Sequence, residues 1–251
     1  MAALRGLGRV PRASARPARV SRPLDIVIPV LNEEAAIDEF CDRVDRLGYA
    51  DALLFVDNAS TDGTVGRIER RGRRLIRHAR NEGYGASIRD GIAASDGELV
   101  VIADADLEYP PEVIPAIVQA LRDHPVVYGS RFLGPQPPAM PLVRRFGNRI
   151  ASALFDVLYR QHTTDVYTGM KGLRRDALPL GMLRQSGFEH AAELSVLAAL
   201  SGHHIHDVPL EYRPRAAGRS KMRHIPETAK LLAYLVRTWV RCVVLRRPLS
   251  S

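Results

Sequence analysis

At 251 residues the chain can bury one large core, or one core and a small appendage, and its 46% hydrophobic and 25% charged residues are ordinary for a soluble globular fold. Its formal charge is +8, yet Arg5, Arg9, Arg12, Arg16, Arg19 and Arg22 supply six of those charges before residue 24, with no acid among them. The remaining body is near neutral, which argues against a general nucleic-acid coat, and two distant cysteines, Cys41 and Cys242, match no disulfide framework or metal-ligand spacing.

In chain order, residues 1–23 are rich in Arg, Ala and Pro, the composition of a disordered basic arm. The arm lacks the apolar stretch of a secretory signal. A flexible tail, attraction to anionic lipid and a transit segment all fit it. Both thiols read as reduced, in keeping with a cytoplasmic setting.

From residue 24 short apolar runs alternate with helical periodicity. Leu24–Val30 reads as a strand, followed by a helix from about Glu33 to Leu47, a strand at Ala52–Asp57 and a helix after Ser60-Thr61-Asp62. A third strand near Arg74–Ile76 leads through glycines to a helix ending near Ala94. A strand at 99–103, a helix from Pro111 to Arg122 and a strand at Val126–Ser130 complete the regular part. This alternation predicts an α/β fold, a mostly parallel sheet with helices on both faces. After the loop marked by Pro135, Pro137, Pro138 and Pro141, helices over 142–160 and Glu189–Ser201 and a strand around Ile205–Tyr212 suggest a mixed edge on that sheet.

From Ile225 to Leu245, Glu227, Lys230, Tyr234, Arg237 and Arg241 recur at intervals of three and four, a narrow polar stripe on an otherwise apolar helix. Arg237 and Arg241 count against a bilayer-spanning helix, whereas Trp239 and Arg246-Arg247 suit one lying at a membrane interface. Packing against the core or a second subunit is the alternative.

Chemistry concentrates after the strand at 99–103, in Asp104-Ala105-Asp106-Leu107-Glu108-Tyr109-Pro110-Pro111. Alternate residues of extended chain point the same way, so Asp104 and Asp106 can aim into one crevice at the carboxyl end of the strand. Converging carboxylates repel unless a cation lies between them, and hard oxygen ligands suit Mg²⁺ or Mn²⁺. Such an ion completes its shell with substrate phosphates, which points to an enzyme of nucleotide diphosphates. Four further segments end strands or begin helices around the same crevice: Pro29-Val30-Leu31-Asn32-Glu33, Asp57-Asn58-Ala59-Ser60-Thr61-Asp62-Gly63-Thr64, the glycine-rich Arg80–Ala86, and Gly129-Ser130-Arg131. Asp62 also reads as a helix cap. His203, His204 and His206 read as the exposed start of a strand, and no convincing general base or Ser-His-Asp set is found.

Together the segments IPVLNEE (28–34), VDNASTDGT (56–64), RNEGYGASIRDGI (80–92), DADLEYPPE (104–112), GSRF (129–132), RRFGNRIAS (144–152), DVYTGMKGLRRDAL (165–178) and RPRAAGRSKM (213–222) resemble family 2 glycosyltransferases of the GT-A fold, particularly the polyprenyl-phosphate (dolichol-phosphate) sugar transferases. The resemblance covers about residues 24–224. It implies a Rossmann-like nucleotide-sugar fold over 24–222, flanked by the basic arm at 1–23 and by the amphipathic helix at 223–251, for which membrane association and packing against protein both remain open. Asp57, Pro29, Asn32, Glu33, Asn81, Gly83 and Asp104 would bind nucleotide, and Asp104, Asp106 and Glu108 would bind Mg²⁺ or Mn²⁺. Glu108 stands where the family often has Gln, and Asn58 stands where it usually has a second Asp.

Arg131, Arg145, Arg215 and Lys221 would converge on acceptor and donor phosphates, a task suited to the planar guanidinium. Asp104, Asp106, Arg131 and Arg215 would form the catalytic set. Glu189 would bind donor hydroxyls, or be a solvated helix residue together with Glu193. The implied reaction moves a hexose with inversion from a nucleotide diphosphate sugar, GDP-mannose or UDP-glucose, to a polyprenyl phosphate at the cytosolic membrane surface. A family 2 transferase with another lipid or glycan acceptor, and a sugar-nucleotide-binding protein without turnover, are the alternatives. Oligomeric state is not legible.

Overall fold

The computed structural model of the chain describes residues 22–134, 141–213 and 224–249. Every residue of Leu24–Val30 (β1) is buried, because this strand has a packed layer on each face. Ile26 and Ile28 enter one core and Val27 the other, as a two-residue period requires. Leu53–Asp57 (β2) behaves alike, dividing Leu53 and Phe55 from Leu54 and Val56.

With Arg74–Arg77 (β3), Leu99–Ile102 (β4), Val126–Ser130 (β5), Lys171–Arg174 (β6) and Ile205–Pro209 (β7), they form one sheet in the order β3-β2-β1-β4-β6-β5-β7. Helices Glu34–Arg46 (α1), Thr64–Arg70 (α2) and Ile114–Ala120 (α4) supply Ile37, Phe40, Val44, Ile68 and Ile117 to one core. Helices Tyr84–Ala94 (α3), Leu142–Tyr159 (α5), His190–Leu200 (α6) and His224–Trp239 (α7) supply Ile88, Phe155, Leu194 and Leu235 to the other.

Three expectations are corrected. The mixed element is not an edge: β6 lies inside the sheet, antiparallel to both β4 and β5, while the edge strand β7 runs parallel to β5. Gly172 pairs with Val101 on one side and Val127 on the other, and Ile117 occupies the space a Cβ would need. A strand reading Lys-Gly-Leu-Arg has no alternation to reveal it. The helix expected from Pro111 to Arg122 is a 3₁₀ turn at Pro111–Val113 followed by α4.

The third correction concerns α7. Its buried face is Leu231, Tyr234, Leu235 and Thr238, continued by Cys242 in a π-helical turn at Val240–Val244. Tyr234 is therefore a core residue rather than part of a solvated stripe, and the outer face carries Val236, Val240 and Val244 beside Arg237 and Arg241. Tyr159 Oη donates to Leu235 O at 2.9 Å, tying α7 to α5. The basic arm through residue 21 lies outside the described residues.

Candidate active site

Strand order reverses around β1, whose neighbours are β2 and β4, and the carboxyl ends of these strands open a crevice. Each of the three following loops contains a left-handed residue that is not glycine: Asn32 (φ 52°), Ala59 (φ 67°) and Leu107 (φ 62°). Asparagine tolerates that conformation, whereas Ala and Leu pay roughly 1–2 kcal/mol for it, a cost that concentrates at functional sites.

The crevice is a cavity of about 1160 Å³. Pro29, Glu33, Asn81, Gly83, Asp104, Asp106, Glu108, Arg131, Arg145 and Glu189 all line it, so ten of the residues singled out from sequence meet in one place. Asn32 and Asp57 do not. Asn32 accepts the Thr61 N–H at 2.7 Å and donates its own N–H to Ser60 Oγ, and buried Asp57 accepts the Ser60 N–H at 3.2 Å. Both brace the β2 loop. The residue after Asp57 reaches the cavity instead: Asn58 donates to Asn81 Oδ1 at 2.9 Å, and its own Oδ1 accepts the Glu82 N–H. Arg215 and Lys221 lie outside the described residues.

Ladder pairing of β4 ends at Ile102, and Asp106 sits in a turn rather than in extended chain. The two acids share the cavity because of that turn, not because of strand alternation. Asp104 Oδ1 accepts the Tyr84 hydroxyl at 2.8 Å, and Asp106 Oδ1 accepts the Glu108 N–H at 2.9 Å. Burial, then the adjacent Asp104, pushes the Tyr84 phenol well above its ordinary range, so it stays a donor. Hard carboxylate oxygens from Asp104 and Asp106 fit a divalent cation of the Mg²⁺ or Mn²⁺ kind. Glu108 lines the same cavity, but its carboxylate does not complete a trio with those of Asp104 and Asp106 inside 4.8 Å, a closeness that only His78, Glu82 and Asp90 reach among the described residues.

Gly169 explains itself here. A Cβ on Gly169 would collide with Asp104 Oδ2. Gly169→Ala is therefore expected to displace Asp104 and lower kcat at least about tenfold, a loss of roughly 1.4 kcal/mol of barrier lowering, while the circular dichroism spectrum is retained. Unchanged kcat would show that the Asp104 position is not critical.

The same cavity is lined by two largely buried cations. Arg131 makes a two-pronged pair with Asp165, Nε and Nη2 each 2.7 Å from a carboxylate oxygen, with the guanidinium 5.6 Å over the Tyr109 ring. Burial opposes its charge, but Asp165 more than offsets this and Arg131 is held above its ordinary range. Asn148 donates to the same carboxylate at 2.6 Å. Lys171, which sequence reasoning did not single out, is 4% exposed, donates to Thr168 O and lies 4.9 Å over the Tyr128 ring. Burial pulls it down to about 8, against the raising effect of Asp165 and Asp104. Tyr84 and Asp165 also escaped notice, although the quoted motifs contain both.

Glu189 also lines the cavity, and its Oε2 is buried and accepts no hydrogen bond. A carboxylate oxygen left so is suited to a hydroxyl donor from a ligand. Next to it His190, 1% exposed, has neither ring nitrogen partnered and is pulled down to about 3 by burial, so it stays neutral. Glu193, by contrast, accepts the Arg184 and Gln185 N–H groups at 2.8 and 3.0 Å and is structural.

The model of the family described as Glycosyl transferase family 2 matches residues 25–180, well over half of the chain. The chain belongs to glycosyl transferase family 2. Among relatives, a dolichyl-phosphate hexose transferase of Haloferax volcanii is 31% identical over 201 residues, covering 79% of this chain and 86% of that protein. A dolichol-phosphate mannosyltransferase of Pyrococcus furiosus is 25% identical over 210 residues, 80% of this chain and 59% of that longer protein. Among solved structures, glucosyl-3-phosphoglycerate synthase of Mycobacterium tuberculosis in complex with phosphoglyceric acid superposes with a TM-score of 0.65. The match covers 86% of this chain and 79% of that one, and its 22% identity carries the fold alone, which is GT-A. The family 2 assignment makes the chain a glycosyltransferase.

Proposed function

We propose that this family 2 enzyme moves a hexose from a nucleotide diphosphate sugar to a polyprenyl phosphate in one inverting displacement, working at the cytosolic face of a membrane. The observation that carries this is one cavity lined by the acids Asp104 and Asp106, by the cations Arg131 and Lys171, and by the exposed apolar side chains Leu142, Val143 and Phe146. The name of the Haloferax volcanii relative supports the lipid acceptor. The matching experiment is incubation with radiolabelled GDP-mannose, UDP-glucose and other donors plus a short polyprenyl phosphate. Label extracted into the organic phase is the expected result; label remaining aqueous with every donor overturns the acceptor.

A phosphate monoester has its second pKa near 6, so the acceptor is already an anionic nucleophile at neutral pH. The protein then needs no general base, in keeping with His190, whose pKa of about 3 makes it a poor proton acceptor, and with proton-bearing Tyr84. Its residues hold two anions in line and exclude water. Asp104 and Asp106, with Glu108 alongside, would hold the divalent ion, which supplies charge neutralisation to the departing diphosphate. Arg131, fixed by Asp165, and Arg145 on α5 would grip phosphate oxygens, and Glu189 would accept a sugar hydroxyl.

Lys171 gives this reading a pH signature. Its folded pKa of about 8 lies below the ordinary 10.5, so its charge is present below pH 8 and lost above it. As a phosphate-holding cation it should cause kcat/KM, which reports the free enzyme, to fall about tenfold per unit above pH 8. Lys171→Arg should remove that alkaline limb, since guanidinium does not titrate there. A limb at pH 8 that survives the substitution would assign it to another group.

The rim supports the membrane. Leu142, Val143 and Phe146 on α5 are 78%, 65% and 68% exposed, beside Arg144, Arg145 and Arg149, and line the cavity mouth. No helix among the described residues is long and apolar enough to cross a membrane. Inserting one Phe side chain contributes about 1.5–3 kcal/mol, so Phe146→Glu should weaken sedimentation with anionic liposomes about tenfold or more. Equal sedimentation would remove the membrane from the proposal. Because α7 belongs to the core, such point changes test it more cleanly than truncation.

A further inference from the structure

Apart from the acidic pair at the end of β4, His78, Glu82 and Asp90 bring one imidazole and two carboxylates together, with ligand atoms all within 4.8 Å of one another. His78 follows β3, Glu82 lies in the loop before α3, and Asp90 stands in the second turn of that helix.

The neighbours of His78 define its chemistry. Asn58 Nδ2 donates to Asn81 Oδ1 at 2.9 Å, and Asn58 Oδ1 accepts the Glu82 N–H at 2.8 Å, which fixes that oxygen as an acceptor. His78 Nδ1, 3.2 Å from the same oxygen, therefore carries a proton. In the neutral ring Nε2 then presents its lone pair. The side chain is only 7% exposed, yet Nε2 has no hydrogen-bond partner. Asp90 Oδ2 lies 3.2 Å away, but off the line that a hydrogen bond requires.

Two ligand atoms that share a cation at about 2.0–2.2 Å stand roughly 3.0–3.5 Å apart, octahedral to tetrahedral, and each points toward the cation rather than toward the other. A lone pair and a carboxylate oxygen so placed repel unless positive charge lies between them. Arg89 Nε holds the other oxygen of Asp90 at 3.1 Å, leaving Oδ2 turned toward the histidine. A ligating histidine whose second nitrogen donates to an amide oxygen is the usual outer arrangement of protein metal sites.

We propose that His78 Nε2, Glu82 and Asp90 form a second cation site, for a divalent transition metal such as Zn²⁺, distinct from the acidic pair that faces the large cavity. Imidazole selects Zn²⁺ over Mg²⁺, which prefers oxygen throughout. Its ligands come from three points of the 78–90 segment, and between them lie Asn81 and Gly83, which line the large cavity. A bound ion would hold that loop in place against Asn58.

The test uses the full, untagged chain carrying Asp104→Asn and Asp106→Asn, so that the first site does not report. Co²⁺ is titrated in and followed by visible absorption, then displaced with Zn²⁺. One equivalent should bind, and adding His78→Gln or Asp90→Asn should weaken it by about tenfold or more. No Co²⁺ signal, or equal affinity in folded His78→Gln or Asp90→Asn protein, would overturn the site and leave a proton-bridged pair between His78 and Asp90. Asp90 is 35% exposed, so Asp90→Asn keeps the measurement decisive should His78→Gln fail to fold.

Discussion

Replacing Asp104 or Asp106 by Asn is expected to abolish most turnover, by on the order of 10²–10³ in kcat, with little change in stability. Both are acceptors in the structure, Asp104 for the Tyr84 hydroxyl and Asp106 for the Glu108 N–H, and an amide oxygen can still accept. Asn therefore keeps the local geometry while removing the charge that would hold a dication. Alanine is a poorer probe at Asp104, because the buried Tyr84 hydroxyl would lose its partner. The check is single-turnover kinetics at saturating Mg²⁺, beside a melting curve. Wild-type rates in either variant would show that this pair does not carry the chemistry.

The second large effect falls on stability. Asp165 is fully buried and binds Arg131 through both oxygens, with Asn148 as a further donor. Asp165→Leu would leave a largely buried guanidinium, its side chain 12% exposed, without its counter-charge, a loss of about 3 kcal/mol. For a chain of this size that lowers Tm by roughly 10 °C. Replacing both members, Arg131→Met with Asp165→Leu, should recover much of the Tm, since an apolar pair of similar volume avoids the desolvation cost. The double variant should nevertheless remain inactive, because the cation that faces the cavity is gone. Thermal scans with activity assays separate the two effects. A double variant as active as wild type would reduce Arg131 to a structural residue.

The parallel half of the fold is legible because β1, β2, β4 and β5 are apolar strands joined by amphipathic helices. Leu24–Val30 needs no alternation when both faces are covered. β6 is hidden because Gly172 and two flanking cations mimic a loop, and only its position between Val101 and Val127 makes it a strand. The helix α7 shows the reverse error. Its polar spacing at three and four is real, but Tyr234 follows its ring into the core and leaves valines outside.

That ten of the singled-out residues would line one cavity was readable because strand-end acids and glycine-rich turns are local signals. Asp57 and Asn32 belong to the same strand-end segments, yet they bond Ser60 and Thr61 and are not among the residues lining the cavity, a difference that only the folded loops reveal. Lys171 and Asp165 stayed obscure because their partners, Thr168, Tyr128 and Arg131, are brought together only by the antiparallel β6 and the loop before it.

Crystals grown with a nucleotide diphosphate sugar and Mn²⁺, recorded at the manganese absorption edge, probe the cation site most directly. An anomalous peak is expected against the carboxylates of Asp104 and Asp106, touching the donor diphosphate. Manganese found only elsewhere, with the donor bound outside the cavity between Asp104 and Arg131, would contradict the proposed chemistry.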